Sequence, residues 1–346
     1  GWVETDNLLE ADSSSSVLMR SGLEPCGVIK PIEIREFCSK LKELGKQVAG
    51  CTLKSAGRST IKTKFITLLC LVSLMGGCSI AGTWIYDRLD DYINDYFFNF
   101  ANFSNDQKED IRLVTKNFKY WLTKNQLPEI QLVLNDIAAL NKTSNNSEIK
   151  LVYEKGYKIF ESINLYFDYE FIEFASSLDK KQINEMENHF SELQEERKEK
   201  REKRKEETYH VRLLENYVSG FKRLGIKLKK EQKELLAYSI KDTQDNSKEW
   251  NLLQKKWTEE MFSILRKNEQ NNFKKKLSVH LKGLSDLGSQ IFKDKIEQNK
   301  TIGIIAVSNV VGSMDESQFK KMNKSLNVFQ KSILQIIKNQ DDSFIE

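Results

Sequence analysis

After Cys78 the chain has no cysteine: Cys26, Cys38, Cys51, Cys70 and Cys78 all lie in the first quarter of its 346 residues. A disulfide or zinc–thiolate framework is therefore excluded from everything downstream. Proline, at 3, and glycine, at 16, are both scarce, which favours helix over sheet and turn. Histidine is just as rare. His189, His210 and His280 stand apart, without the paired spacing that a metal site needs. Glycine-rich phosphate loops are missing, and so is the Gly-x-Ser-x-Gly nucleophile turn. No catalytic residue, metal or cofactor is expected, and the chain does not read as an enzyme. Nor does charge of one sign dominate, since 54 basic residues face 50 acidic ones for a net +4. That balance lacks the concentrated basic face of a nucleic-acid binder, so no such partner is expected.

What is present is 39% hydrophobic and 30% charged, with a mean hydropathy of −0.53. The length suffices for one large or two ordinary domains with a real core. From Ser104 onward the apolar period is helical almost throughout, and no run alternates with period two for long. Helices are expected near 104–123, 129–140, 147–176, 179–220, 229–267, 270–297, 300–313 and 315–339. Pro128 should break the first from the second, because a proline ring inside a helix is costly. Asn141 to Asn146 reads as a turn. The fold class predicted is all-α, with long antiparallel helices in an elongated bundle. It divides into an N-terminal bundle, 78–220, which carries a long charged helix, and a C-terminal bundle, 221–346.

Three stretches have distinct characters. Glu195 to Glu207 contains no apolar residue, and its alternating signs at helical spacing predict a solvated helix that projects beyond the core. Thr301 to Met314 carries no charge and is short for a membrane span, so it is expected to be a buried helix. Tyr92, Tyr96, Phe97, Phe98, Phe100 and Phe103 form an aromatic concentration that could lie at a membrane surface. Leu89, Tyr92 and Tyr96 share one helical face, which favours packing into the core.

One short pattern recurs at the expected helix starts. It reads Phe103-Ser104-x-x-Gln107, Leu178-Asp179-x-x-Gln182, Leu228-Lys229-x-x-Gln232 and Met314-Asp315-x-x-Gln318. In a capping box the cap side chain takes the amide three residues on, while that residue's side chain reaches back to the cap amide. Ser104, Gln107, Asp179, Gln182, Asp315 and Gln318 are assigned to this role. Lys229 has no acceptor to offer, so the third copy is incomplete. Leu178 with Ile183 and Met314 with Phe319 have the spacing of a hydrophobic staple.

The N-terminal region carries a different signal. Basic Lys62-Thr63-Lys64 precedes the apolar run Phe65 to Met75, and then Gly76-Gly77-Cys78-Ser79. That order matches a signal peptide over 62–77 with small residues at its cleavage point. A cysteine after two glycines resembles a bacterial lipobox, with Met75 in place of the usual leucine, and implies lipidation of Cys78. The competing reading is an uncleaved signal anchor extending towards Tyr86, which Gly76, Gly77 and Gly82 interrupt. Residues 1–61 hold too few elements to close a core. They read as an upstream segment outside the mature protein, or else as a small cytosolic module.

Cys78, the run Arg88-Leu89-Asp90-Asp91-Tyr92, the Ser104/Gln107 box and Trp121 before Leu127-Pro128 together resemble an uncharacterised family of helical Gram-negative lipoproteins, a domain of unknown function. Where that family often has a Trp-His-Arg-Arg type of sequence, this chain has Trp121-Leu122-Thr123-Lys124. The recurring apolar-x-x-x-Gln pattern is also similar to the motif of Spy and CpxP type periplasmic chaperones, against the plainer reading of helix capping alone. The resemblance implies a lipid anchor on the periplasmic face of the outer membrane, with Ser79 after the cysteine favouring export outward. It further implies a non-catalytic binding or chaperone-like role towards a protein partner or unfolded client. The alternative is a structural tether or spacer of the envelope.

Overall fold

The computed structural model describes residues 86–203, 207–283 and 287–342. Cys78, the signal segment 62–77 and residues 1–61 lie outside the described residues. The described chain is all-α, a helical bundle. In order, the helices are α1 (Leu89–Phe97), α2 (Asn105–Trp121), α3 (Leu127–Ala139), α4 (Asn146–Ala175), α5 (Lys180–Glu202), α6 (Tyr209–Arg223), α7 (Lys230–Ser239), α8 (Ser247–Leu265), α9 (Phe273–Lys282), α10 (Gln290–Gly312) and α11 (Glu316–Asp342).

Several expected helices are divided or joined differently. Pro128 does not stop the winding between α2 and α3, because a π-helical turn, Leu122–Gln126, connects them and Pro128 falls in the first turn of α3. A proline there forfeits little, since the first amides of a helix lack an intrahelical acceptor anyway. The expected helix over 179–220 is two helices. Thr208 adopts extended backbone and its hydroxyl accepts from Val211 N, which starts α6 afresh. The charged run thus forms the end of α5, where Glu192, Glu195 and Lys198 are exposed. The expected helix over 229–267 is also divided, into α7 and α8. The uncharged stretch lies in the second half of α10 and buries Gly303, Ile304, Ala306, Val310 and Val311. Among the described residues no helix is long and apolar enough to cross a membrane.

Local chemistry explains the sharpest turn. α6 ends in a Schellman motif, with Ile226 N donating to Phe221 O at 2.9 Å and Gly225 N donating to Lys222 O at 3.0 Å. Gly225 sits at φ +79°, and a Cβ there would meet Ser325 Oγ at 2.3 Å. Glycine is required on both counts.

The helices form two main apolar clusters. One gathers Leu89, Phe118, Leu134 and Ile149 with Leu213, Leu236, Val310 and Ile333. The other gathers Phe100, Phe103, Ile183 and Met186 with Phe262, Leu265 and Leu277. Both draw side chains from either side of residue 220. The order of features also occurs twice: short helix, box, intervening helices, box, long helix. The closing helix of each half packs on the other half, α5 on α8 and α11 on α3.

Candidate functional site

The four glutamines of the recurring pattern are buried, and the fold brings them together in pairs. In the first pair Gln107 Nε2 donates to Gln182 Oε1 at 3.0 Å, and Gln182 Nε2 donates back to Gln107 Oε1 at 2.6 Å. Each oxygen also accepts its own cap amide, Ser104 N at 2.9 Å and Asp179 N at 3.0 Å. The second proton of each amide goes to a carbonyl two residues before the partner's cap: Gln107 to Ser177 O at 2.8 Å and Gln182 to Asn102 O at 3.2 Å.

The second pair repeats this arrangement bond for bond. Gln232 and Gln318 exchange bonds at 3.0 and 2.8 Å and accept Lys229 N and Asp315 N. They donate onward to Ser313 O and Lys227 O. Such exchange of equal bonds between equivalent groups is local two-fold symmetry. The cap side chains do their part as well: Ser104 Oγ accepts Gln107 N at 3.2 Å, Asp179 Oδ1 accepts Gln182 N at 2.7 Å, and Asp315 Oδ1 accepts Gln318 N at 2.8 Å. Lys229, which cannot accept, instead pairs with Asp315 Oδ2 at 2.8 Å. That bond holds the Asp315 carboxyl below its usual range and the Lys229 ammonium above its own. The pairing was invisible in the sequence, where the glutamines stand 75 and 86 residues apart. Their shared spacing from an apolar residue was the only signal.

The first pair also fixes the wall of a cavity. Its bond to Asn102 O, and the bond from Asn102 N to Glu185 Oε2 at 2.7 Å, hold the loop that carries Phe100 and Phe103. Asn268 Nδ2 donates to Ala175 O and Leu178 O at 3.2 and 2.7 Å, fixing the same turn between α4 and α5 that accepts from Gln107. Beside these elements lies a partly open cavity of about 360 Å³. Tyr96, Phe97, Phe100 and Phe103 line it from one side, Phe167, Phe171 and Phe174 of α4 from another, and Phe190 of α5, Trp257 and Met261 of α8 and Leu281 of α9 complete it.

The rings brace one another edge to face, which suits their quadrupoles. Phe100 meets His189 at 4.6 Å and Phe190 at 5.3 Å, and Phe103 meets Phe174 at 5.5 Å. The aromatic concentration near residues 92–103 therefore packs within the protein. All three histidines make contacts within the fold. His280 stacks on Trp257 at 4.9 Å and shares two backbone bonds with it, while His210 Nε2 lies 3.1 Å from Thr243 O.

Two ionisable groups other than tyrosine line the cavity, Asp168 and Glu170, both on α4. Burial pushes the Asp168 carboxyl up to about 6, an effect that the charge of Lys282 only partly offsets. Burial, with help from Glu173, also raises Glu170. Nothing in the sequence distinguished Asp168 from the many other acids. Among the described residues no group of three or more histidine, cysteine, aspartate or glutamate residues is placed to hold a metal ion.

The family whose sequence model matches this chain is described as "Family of unknown function (DUF6279)", over residues 99–292. The match takes in the first glutamine pair and most of the cavity lining, but ends before Gln318. No curated protein and no solved structure matches.

Proposed function

The chain belongs to DUF6279, a family of unknown function, and from that premise we propose that it is a non-catalytic binding protein of the bacterial envelope. Its cavity takes apolar segments of unfolded or partner polypeptides. The observation that carries this reading is the aromatic cavity itself, within the ~300–1,000 Å³ range of ligand sites and partly open. A tether or spacer has no use for such a cavity. A core packed for stability alone would fill it, because unfilled apolar space is destabilising.

The test fills the cavity by enlarging one apolar side chain of its wall and leaves the rings and carboxyl groups in place. Val114→Phe on α2 places a ring in the space. The unmodified full chain, at molar excess, is expected to delay aggregation of unfolded clients and to bind a neutral apolar dye such as Nile red. The filled variant should lose most of both activities while its melting temperature stays within a few degrees. If the unmodified chain affects none of several unrelated clients and binds no dye, the tether reading takes its place.

Anchoring is a separate part of the proposal. It rests on the order of basic, apolar and Gly-Gly-Cys residues ahead of Ser79. Lipidation of Cys78 would hold the protein on the periplasmic face of the outer membrane. Cys78→Ala is expected to release the protein from membranes or leave an unprocessed precursor, as read by fractionation and mass spectrometry. Membrane-bound mature protein that survives the substitution unchanged would overturn the lipid anchor.

A further inference from the structure

The cavity wall is not electrically neutral. Among the described residues its ionisable side chains other than tyrosine are both carboxyl groups on α4, and no lysine, arginine or histidine lines it. We propose that the cavity selects apolar polypeptide segments that carry a lysine or arginine, the cationic head lying against Asp168 while the apolar neighbours enter among the rings. This deepens the binding reading above and rests on it.

Geometry separates Asp168 from the other polar groups of the wall. Thr115 Oγ1 is already committed, donating to Asn94 Oδ1 at 2.6 Å, and Thr258 Oγ1 donates to Gln254 O at 2.9 Å. Asp168 receives no hydrogen bond among the described residues. It lies one turn from Phe171 on the same face of α4, so a ligand that touches the ring reaches the carboxylate. A carboxylate that is mostly withdrawn from water, and incompletely paired, gains more from a cation than an exposed one does.

Lys274 bonds Glu173, and Arg266 bonds Glu187. Lys282 of α9 is the one cation whose charge acts on Asp168. It is itself exposed, and Asp168 stays raised despite it. Glu170 on the same helix and Tyr96 of α1 are the other titratable groups among the described lining residues, and His189 and His280 touch the lining rings of Phe100 and Trp257. The lining residues of α2, α5 and α8 are not titratable.

The experiment uses the full chain and three labelled peptides blocked at both ends, Leu-Phe-Xaa-Leu with lysine, norleucine or glutamate at the variable position. Fluorescence anisotropy at about pH 7.5 should show the lysine peptide binding about fivefold tighter than the norleucine one, as expected for a single partly desolvated ion pair. The glutamate peptide should bind most weakly. Asp168→Asn should erase the preference for lysine over norleucine. Lowering the pH of the unmodified chain to about 5 protonates Asp168 and should weaken the preference, and the part of that change which Asp168→Asn abolishes belongs to this group. Equal binding of the lysine and norleucine peptides, or preference for glutamate, overturns the charge selection and leaves apolar binding standing. Failure of all three peptides to bind overturns both.

Discussion

Replacing Gln182 by alanine is expected to cost about 2–4 kcal/mol of stability, since each buried polar group left without a partner costs about 1–3 kcal/mol. The residue is 6% exposed and makes four side-chain bonds, to Asp179 N, twice with Gln107, and to Asn102 O. Its loss strands the amide of Gln107 and the carbonyl of Asn102 in a site that water reaches poorly. Asp179→Ala is the contrasting case. It removes one partly exposed cap acceptor and should cost only about 0.5–2 kcal/mol.

A double-mutant cycle separates pairing from capping. With Gln107→Ala added, the combined loss should fall short of the sum of the single losses by about 1–2 kcal/mol, because the second truncation removes a group the first had already orphaned. Urea denaturation with unchanged slopes would measure all three variants. If Gln182→Ala costs no more than Asp179→Ala, or if the losses simply add, the glutamines are independent caps and the paired arrangement carries no energy of its own.

Asp168→Asn is expected to stabilise the protein at neutral pH, by about 1–3 kcal/mol. The folded state holds this carboxyl at about 6, whereas an unperturbed aspartate titrates near 3.8. Each unit of that difference is worth about 1.4 kcal/mol, less whatever part of the burial cost the new amide keeps. The sign follows from proton uptake. Between about pH 4 and pH 6 the folded state binds more protons at this site than the unfolded state does. The contribution of Asp168 to stability therefore falls as pH rises through that window, and is lowest above about 6. In the asparagine variant this fall should vanish. Denaturation at about pH 4.5 and pH 7.5 reads both effects, and a variant no more stable than the parent at the higher pH would show that Asp168 is not held at a cost.

The six assigned capping residues were legible because a capping box is local: an oxygen-bearing side chain, two residues, then glutamine. Helix class was legible for the same reason, since the apolar period and the scarcity of proline and glycine act within a few turns. The boundaries that failed were those set by backbone geometry or by distant partners. Pro128 stands where a breaker should act, but a π-helical turn ahead of it lets the helical winding continue. Nothing within the charged run marks the end of α5, and the one local sign of a new helix is Thr208, whose hydroxyl caps α6.

The sequence by itself determined that this protein is all-α, where most of its helices begin, and that no disulfide or thiolate metal site can hold the region after Cys78. Tertiary structure alone decided that the four capping glutamines meet as two symmetric pairs, that α5 and α11 cross to the other half of the chain, and that one aspartate among the chain's 50 acidic residues borders an aromatic cavity. Capping and periodicity are interactions between neighbours in the chain and are written in short spacings. A buried amide pair spans 75 or 86 residues, and the cavity that Asp168 borders is lined from helices α1, α2, α4, α5, α8 and α9 together, so neither leaves a pattern in any one segment.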